Sequence, residues 1–421
     1  MKTFLLPIAL SAALLFSGCA RPTYGEELKS DKARLSPNAP ATDLSELVAG
    51  NTTFALALYQ LLKVEDGNIF YSPYSISAAL AMTFGGARGQ TERQMADTLR
   101  FTLEQSRLHA AFNALDTALN SRGQGAKGKD EEPFVLKVAN ALWGQREFKF
   151  ETSYLDLLAE NYGAGLRLVD FIKDTENSRQ TINNWVSKET EQRIKDLLPQ
   201  GSVNDLTRLV LTNAVYFNGG WLNPFSEDAT RDGAFNLLNG RKVIVPMMFQ
   251  SSGMGYAVGD GYQAVELKYD GGELSMVIIL PAGGTFSAFE NSLGSAELAS
   301  ILAALRNNTV NLTMPKFEFD SEFGLKETLT ALGMPVAFSD SADFSGMTGR
   351  RDLQIQDVVH KAFISVDEAG TEAAAATGVV VGTTSAPLDP ATVTLDRPFI
   401  FLIHDIASGA IIFTGRVVDP S

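Results

Sequence analysis

From Ala373 to Leu388 the chain carries no charge, and between Glu372 and Arg397 it carries no lysine or arginine. Four alanines, Ala373 to Ala376, and three valines, Val379 to Val381, stand in that run. The stretch EAGTEAAAATGVVVGTTSAP (368–387) therefore constrains the fold more than any other, because few places in a protein accommodate so long a segment of small uncharged residues. Read as a strand, it puts Thr371, Ala373, Ala375, Thr377, Val379 and Val381 on one face. Glu372, Ala374, Ala376, Gly378, Val380 and Gly382 fall on the other. The first face is small or apolar throughout and suits burial; the second holds the only charge. Alanine and glycine are poor strand formers, so the segment is weakly committed to any one local state. A flexible linker, a plain buried strand, and a loop that later becomes a strand all fit it. In the last case, small side chains at the leading end let the segment thread between two strands without clashing.

The surrounding pattern is mixed. Apolar residues from Leu47 to Leu62 recur at helical spacing. Ser72-Pro73 opens a second helix, with serine as cap and proline in the first turn, and Gly85-Gly86 closes it. A third helix is expected from about Thr175 through Trp185, Ile194 and Leu198, stopping at Pro199. Residues 135–144, 208–219 and 273–281 read as buried strands, and 310–319 alternates with period two. The C-terminus reads as two apolar strands joined by a turn near Asp405 to Gly409. No internal repeat, glycine-rich phosphate loop or convincing linker divides residues 48–421, so the expectation is one α+β body with several sheets.

The first residues read differently. Met1 and Lys2 give a short positive region, Phe4 to Phe16 an apolar run too short to span a bilayer, and Ser17-Gly18-Cys19 a small-residue site. The pattern resembles a bacterial lipoprotein signal, with Phe16 where leucine is usual. The resemblance implies a signal peptide over 1–18, cleavage before Cys19 and lipid on that thiol. Several acyl chains on one residue would hold the protein at a membrane. Residues 19–47, polar and proline-bearing, read as the lipidated cysteine and a flexible tether. The expected location is the cell envelope, anchored to a bacterial membrane and facing the periplasm or the exterior.

Composition excludes several activities. Cys19 is the only cysteine, so the chain has no intramolecular disulfide, cysteine metal cluster or thiol nucleophile in the body. His109, His360 and His404 are the only histidines, and none lies in a metal-binding or nucleophile–base pattern. Neither a metal, a cofactor nor enzymatic activity is expected. The net charge is −14, and losing Lys2 with the leader makes it −15, which argues against nucleic acid as a partner. Lys127 and Lys129 sit among glycines and acids in GQGAKGKDEE and read as part of a surface loop.

VDEAGTEAAAATG (366–378) resembles the proximal hinge of an inhibitory serpin. The similarity extends over residues 48 to 421: NIFYSPYSISAALAMTFGGARGQTERQM (68–95), LTNAVYFNGGWLNPF (211–225), LTMPKFEFDSEFGLKETLTALGM (312–334) and DRPFIFLIHDIASGAIIFTGRVVDP (396–420) match in sequence and order. Each motif is weak alone; together they are specific. The resemblance implies a single α+β domain with three β-sheets, about eight or nine helices and an exposed reactive-centre loop. It also implies a suicide inhibitor of serine proteases: a monomer whose partner is a protease, held as a covalent acyl-enzyme while the cleaved loop inserts into the central sheet. The alternative is a non-inhibitory serpin, acting as a binding or chaperone-like protein and cleaved as a plain substrate. Bulky, charged or proline residues are frequent in the hinge of such proteins, and Thr371 to Ala376 hold none on the inward face.

Residue by residue, the resemblance makes Glu368, Gly370, Thr371, Glu372, Ala373, Ala374, Ala375 and Ala376 the hinge, with Gly370 as a pivot whose free φ lets the chain turn. Ser72, Ser75, Asn213 and His360 become a polar cluster beneath the opening sheet, and Lys316 and Glu368 an ion pair at its top, near Trp221. Counting forward from Glu368 places the scissile bond at Thr384-Ser385. Counting back from Pro398 lands near Pro387-Leu388, and Val381 and Ala386 lie in the same window. The forward count is preferred because the inserting length controls inhibition. A loop without lysine, arginine or aromatic residues suits proteases with small apolar pockets, of elastase or subtilisin type.

Overall fold

A computed structural model describes residues 24–64, 66–127, 133–371 and 390–421. The leader, Cys19, Glu372 to Ala376 and the proposed scissile residues Thr384 and Ser385 lie outside the described residues.

The chain folds around two sheets. The first has seven strands in the order β1 (Glu26–Leu28), β4 (Leu166–Val169), β3 (Val135–Gln145), β5 (Leu209–Gly220), β13 (Gly370–Thr371), β12 (Asp357–Val366) and β11 (Phe317–Gly324). The second runs β14 (Ala391–Thr394), β10 (Arg306–Pro315), β7 (Lys242–Gly259), β8 (Tyr262–Lys268), β9 (Leu274–Pro281), β15 (Phe399–Asp405), β16 (Ile411–Val417) and β2 (Ile69–Tyr71), with β6 (Arg231–Asn236) paired to β7. The three expected sheets thus appear as two hydrogen-bonded networks among the described residues. One edge of the 18-residue β7 is divided between β6 and β8, while β10 pairs along the other, so two sheets are fused through one strand.

Ten α-helices are described: α1 (Ala41–Leu62), α2 (Pro73–Phe84), α3 (Gly89–Leu99), α4 (Gln105–Asn120), α5 (Thr152–Tyr162), α6 (Thr175–Glu189), α7 (Phe286–Ser292), α8 (Ser295–Ala304), α9 (Lys326–Leu332) and the four-residue α10 (Ser345–Thr348). Every residue of α2 is buried, which its sequence explains: PYSISAALAMTF is small or apolar on all sides, so the helix can lie under the first sheet. Its start is capped as the sequence predicts, the Ser75 amide donating to Ser72 Oγ at 3.3 Å. The C-terminal pair β15 and β16 forms the expected antiparallel hairpin and supplies some of the largest buried side chains.

Three expectations need correction. The helix expected to reach Leu198 stops at Glu189, because Glu191 and Gln192 both adopt left-handed backbone. The apolar period continued beyond it because Ile194, Leu197 and Leu198 fold back onto the same cluster as Ile182 and Val186. The single strand expected over 310–319 is two, β10 and β11, in different sheets; the chain crosses between them at Lys316. The segment read as a tether is docked where it is described. β1 pairs antiparallel with β4, Lys32 bridges Asp156 and Glu160 at 3.2 and 3.0 Å, and Arg34 bridges Asp116 at 2.8 Å. Its polar composition serves contacts with α4 and α5, and α1 begins at Ala41, inside the range assigned to the tether.

Candidate functional site

β5 and β12 lie side by side in parallel from Val210 opposite Asp357 to Val215 opposite Ala362. Above that they part. The two residues of β13 occupy the opening, antiparallel to both: Gly370 opposite Gly220, Thr371 opposite Gly219 on one side and opposite Val366 on the other. The sheet is closed along its lower seam and split at its head, with the hinge set into the split.

Gly370 is required there, though for a different reason than the expected pivot. Its φ is not positive; instead, a Cβ at this position would lie 2.3 Å from the Gly219 carbonyl oxygen. Thr371 is buried and its hydroxyl meets the Tyr269 hydroxyl at 2.8 Å. The turn after β5 grips the residues before it. The Trp221 amide donates to the Ala369 carbonyl and its indole N–H to the Asp367 carbonyl, both at 2.9 Å, and the Phe225 amide donates to the Glu368 carbonyl at 2.8 Å. The indole stacks on Tyr269 with ring centres 4.8 Å apart. Lys316 Nζ bridges Glu368 Oε2 at 2.7 Å, and Thr230 Oγ1 donates to Oε1 at 2.6 Å. Burial pushes the Glu368 carboxyl up, but the hydrogen bonds from Lys316 and Thr230 outweigh it and hold the group below its ordinary value. Lys316, Glu368 and Trp221 thus lie together, in the grouping that the resemblance implied. Tyr269 and Thr230 were missed; nothing local marks them, since their hydrogen-bond partners Thr371 and Glu368 lie 102 and 138 residues away.

Beneath the seam, Ser72, Ser75, Asn213 and His360 are all fully buried. The Ser72 amide donates to His360 Nε2 at 3.1 Å. An amide N–H can only donate, so Nε2 carries the lone pair and the proton sits on Nδ1, which donates to Asn213 Oδ1. Ser75 Oγ donates to the same oxygen at 2.7 Å, and Ser72 Oγ donates to the Ile412 carbonyl at 2.6 Å. Asn140 completes the group: its carbonyl oxygen accepts from Asn213 Nδ2 and its own amide donates to the Ser75 carbonyl at 3.1 Å. Asn140 was not anticipated, although with Lys137 it is one of two polar interruptions in the strand pattern VLKVANALWG. His360 and Asn213 are register partners across β12 and β5, so their hydrogen bond ties the two strands together beneath the seam.

Burial lowers the His360 pKa from 6.5 to about 3, and that of His109, which meets the Tyr162 hydroxyl at 2.7 Å, to about 4. Both folded values lie below the unfolded one. Each imidazole therefore contributes its full stability above pH 6.5 and loses it as pH falls toward the folded pKa, at up to about 1.4 kcal/mol per pH unit per histidine. Urea midpoints should drop between pH 7.5 and 5. Imidazole NMR should show both rings neutral at pH 5.5, and a native-state titration of His360 near 6.5 would contradict the assigned network.

A buried polar cluster under a parallel seam, with a hinge wedged into the head of the same sheet, defines a serpin fold. The chain belongs to the serpin family: the pattern described as Serpin (serine protease inhibitor) matches residues 49–420. It is 40% identical over 371 residues to an uncharacterized serpin-like protein of Thermococcus kodakarensis, covering 87% of this chain and 84% of the relative. It is 38% identical over 392 residues to the leukocyte elastase inhibitor of Homo sapiens, covering 90% of this chain and 100% of that protein. The structure of tengpin, a thermophilic serpin, in its native state superposes with a TM-score of 0.83 at 26% identity, covering 94% of this chain and all of tengpin.

Proposed function

We propose that this chain is a suicide inhibitor of serine proteases of elastase or subtilisin type. The observation that carries the reading is β13, a strand already started between β5 and β12. Extending both of its registers downward would set Ala373 between Phe217 and Ile364, Ala375 between Val215 and Ala362, and Thr377 between Asn213 and His360. The small inward residues would meet the core, and Thr377 would bring a hydroxyl to the two polar groups that must separate.

In this reading a protease serine attacks the carbonyl of Thr384, and the amine of Ser385 leaves. The ester-bound loop inserts before water reaches the acyl group, and the dragged protease loses the geometry of its oxyanion hole. The driving force is a native state held by a barrier, not by lowest free energy. The uncharged loop selects proteases with small apolar pockets, as the likeness to leukocyte elastase inhibitors supports. Lipid on Cys19 would place this activity at a bacterial cell envelope.

The test mixes the body lacking residues 1–19 with an elastase-like and a subtilisin-like protease. The expected product is a band near the summed masses that survives denaturation, with a released peptide beginning at Ser385. Complete cleavage with full protease activity remaining would favour the non-inhibitory, plain-substrate reading.

A further inference from the structure

The motif SSGMGY (251–256) in β7 takes no part in the hinge or the polar cluster. Gly253 and Gly255 stand two apart on one face of a strand interior, where glycine weakens the strand and often marks the close approach of another group. Neither has a positive φ, so backbone conformation does not demand them. What they leave is space. A Cβ on Gly255 would lie 2.7 Å from Glu266 Oε2, and one on Gly253 would meet only Asn307 Oδ1, at 3.4 Å. A cavity of about 300 Å³ opens over them, walled by the turn after β5, by β7 and β8, and by the start of β10. That volume is in the range of small-ligand sites.

We propose that this cavity binds a small zwitterion with an apolar side chain, of the size of a free amino acid or dipeptide. Glu266 supplies a fixed anion. Ser275 Oγ donates to its Oε1 at 2.8 Å and His404 Nε2 lies 3.8 Å from the same oxygen, leaving Oε2 toward Gly255. Lys268, two residues along the same face of β8, makes no ion pair or side-chain hydrogen bond among the described residues. Arg306 adds a second cation at the rim, where its Nη1 donates to the carbonyls of Ala303 and Leu305. Same-face neighbours on a strand stand about 7 Å apart. An α-amino carboxylate fills that interval when each of its charges makes a hydrogen bond of about 2.8 Å. Leu222, 45% exposed, and Leu305 give the rim an apolar patch for the side chain.

The site touches the hinge. The Leu222 amide donates to the Lys268 carbonyl at 2.9 Å, while the adjacent Trp221 holds Ala369 and Asp367. A ligand bridging Leu222 and β8 stabilises the turn that grips the hinge, so it slows loop insertion. This consequence rests on the inhibitor reading; the site itself does not.

Calorimetry on the full chain with L-phenylalanine and L-leucyl-L-leucine tests the site without any protease. Saturable one-site binding is expected, weakened at least about tenfold in Lys268→Glu and in Gly253→Leu, and also when the amino acid is N-acetylated or its carboxylate amidated. No heat and no melting shift at about 10 mM ligand overturns the site, as does binding that survives Lys268→Glu, a surface change that spares folding if Gly253→Leu does not. At ten times Kd, spontaneous loss of inhibitory capacity on warming should slow by up to about elevenfold. Unchanged loss with binding intact overturns the coupling alone.

Discussion

Arginine in place of Ala373 is expected to convert the chain from inhibitor to substrate. If the register of β13 continues, as proposed, residue 373 would enter the sheet opposite Phe217 and Ile364, 5% and 1% exposed. A guanidinium there would meet two buried apolar side chains, and burying such a charge costs several kcal/mol. In the proposed mechanism insertion competes with hydrolysis of the acyl-enzyme, and each 1.4 kcal/mol added to the insertion barrier would slow it about tenfold. A penalty of about 3–4 kcal/mol lowers the trapped fraction by about two to three orders of magnitude. The first cleavage, which precedes insertion, keeps its rate. Glu372→Arg is the control, since in the same register residue 372 would fall on the opposite face, beside the polar Asn218 and Ser365, and the chain already carries a charge there. Gel quantification of trapped against cleaved product should rank Ala373→Arg far below Glu372→Arg. The reverse ranking would mean that the strand enters with the other face inward.

The difference between these two positions was legible in the sequence. The sequence separates two faces of the 371–382 segment and marks the small, apolar Thr371 face for burial, because the other carries Glu372. In β13 Thr371 itself is buried, with its hydroxyl against Tyr269. Elsewhere, what could be read locally was read well. Ser72 as a cap, the glycine stop after α2 and the C-terminal hairpin follow from short-range chemistry. The pairing of Lys316 with Glu368 and of His360 with Asn213 came through family resemblance, because the residues lie 52 and 147 positions apart and no local signal joins them. Asn140 shows the limit. Its role depends on the antiparallel register of β3 and β5, which places it opposite Asn213, and a slip of one residue would have turned it to the other face. Docking of residues 24–40 was illegible for a related reason. Their charges find partners on α4 and α5, and composition alone cannot distinguish solvated charges from paired ones.

Asn213→Ala is expected to open the seam without a protease. Asn213 Oδ1 accepts from Ser75 Oγ and from His360 Nδ1, and its amide donates to Asn140. Truncation leaves His360 Nδ1 and Asn140 Oδ1 without a partner in the interior, each costing about 1–3 kcal/mol, while Ser75 Oγ keeps only the Ser72 carbonyl at 3.3 Å. The loss does not fall equally on the two states. In the closed sheet Asn213 and His360 face each other directly, whereas an inserted strand would stand between them and offer them Thr377. The substitution therefore raises the closed state more than the inserted one and lowers the barrier between them. Held at a fixed temperature below melting, the variant should lose inhibitory capacity at least about tenfold faster than the parent chain, the equivalent of 1.4 kcal/mol at the barrier. The loss should be accompanied by a monomeric species that melts higher than the starting protein, because the loop has entered the sheet intact. Thr377→Ala combined with Asn213→Ala should slow that conversion relative to Asn213→Ala alone, since the incoming strand then brings no hydroxyl to His360. Loss of activity through unfolding or aggregation, with no higher-melting monomer at any time, would mean that the cluster serves only general stability and does not latch the seam.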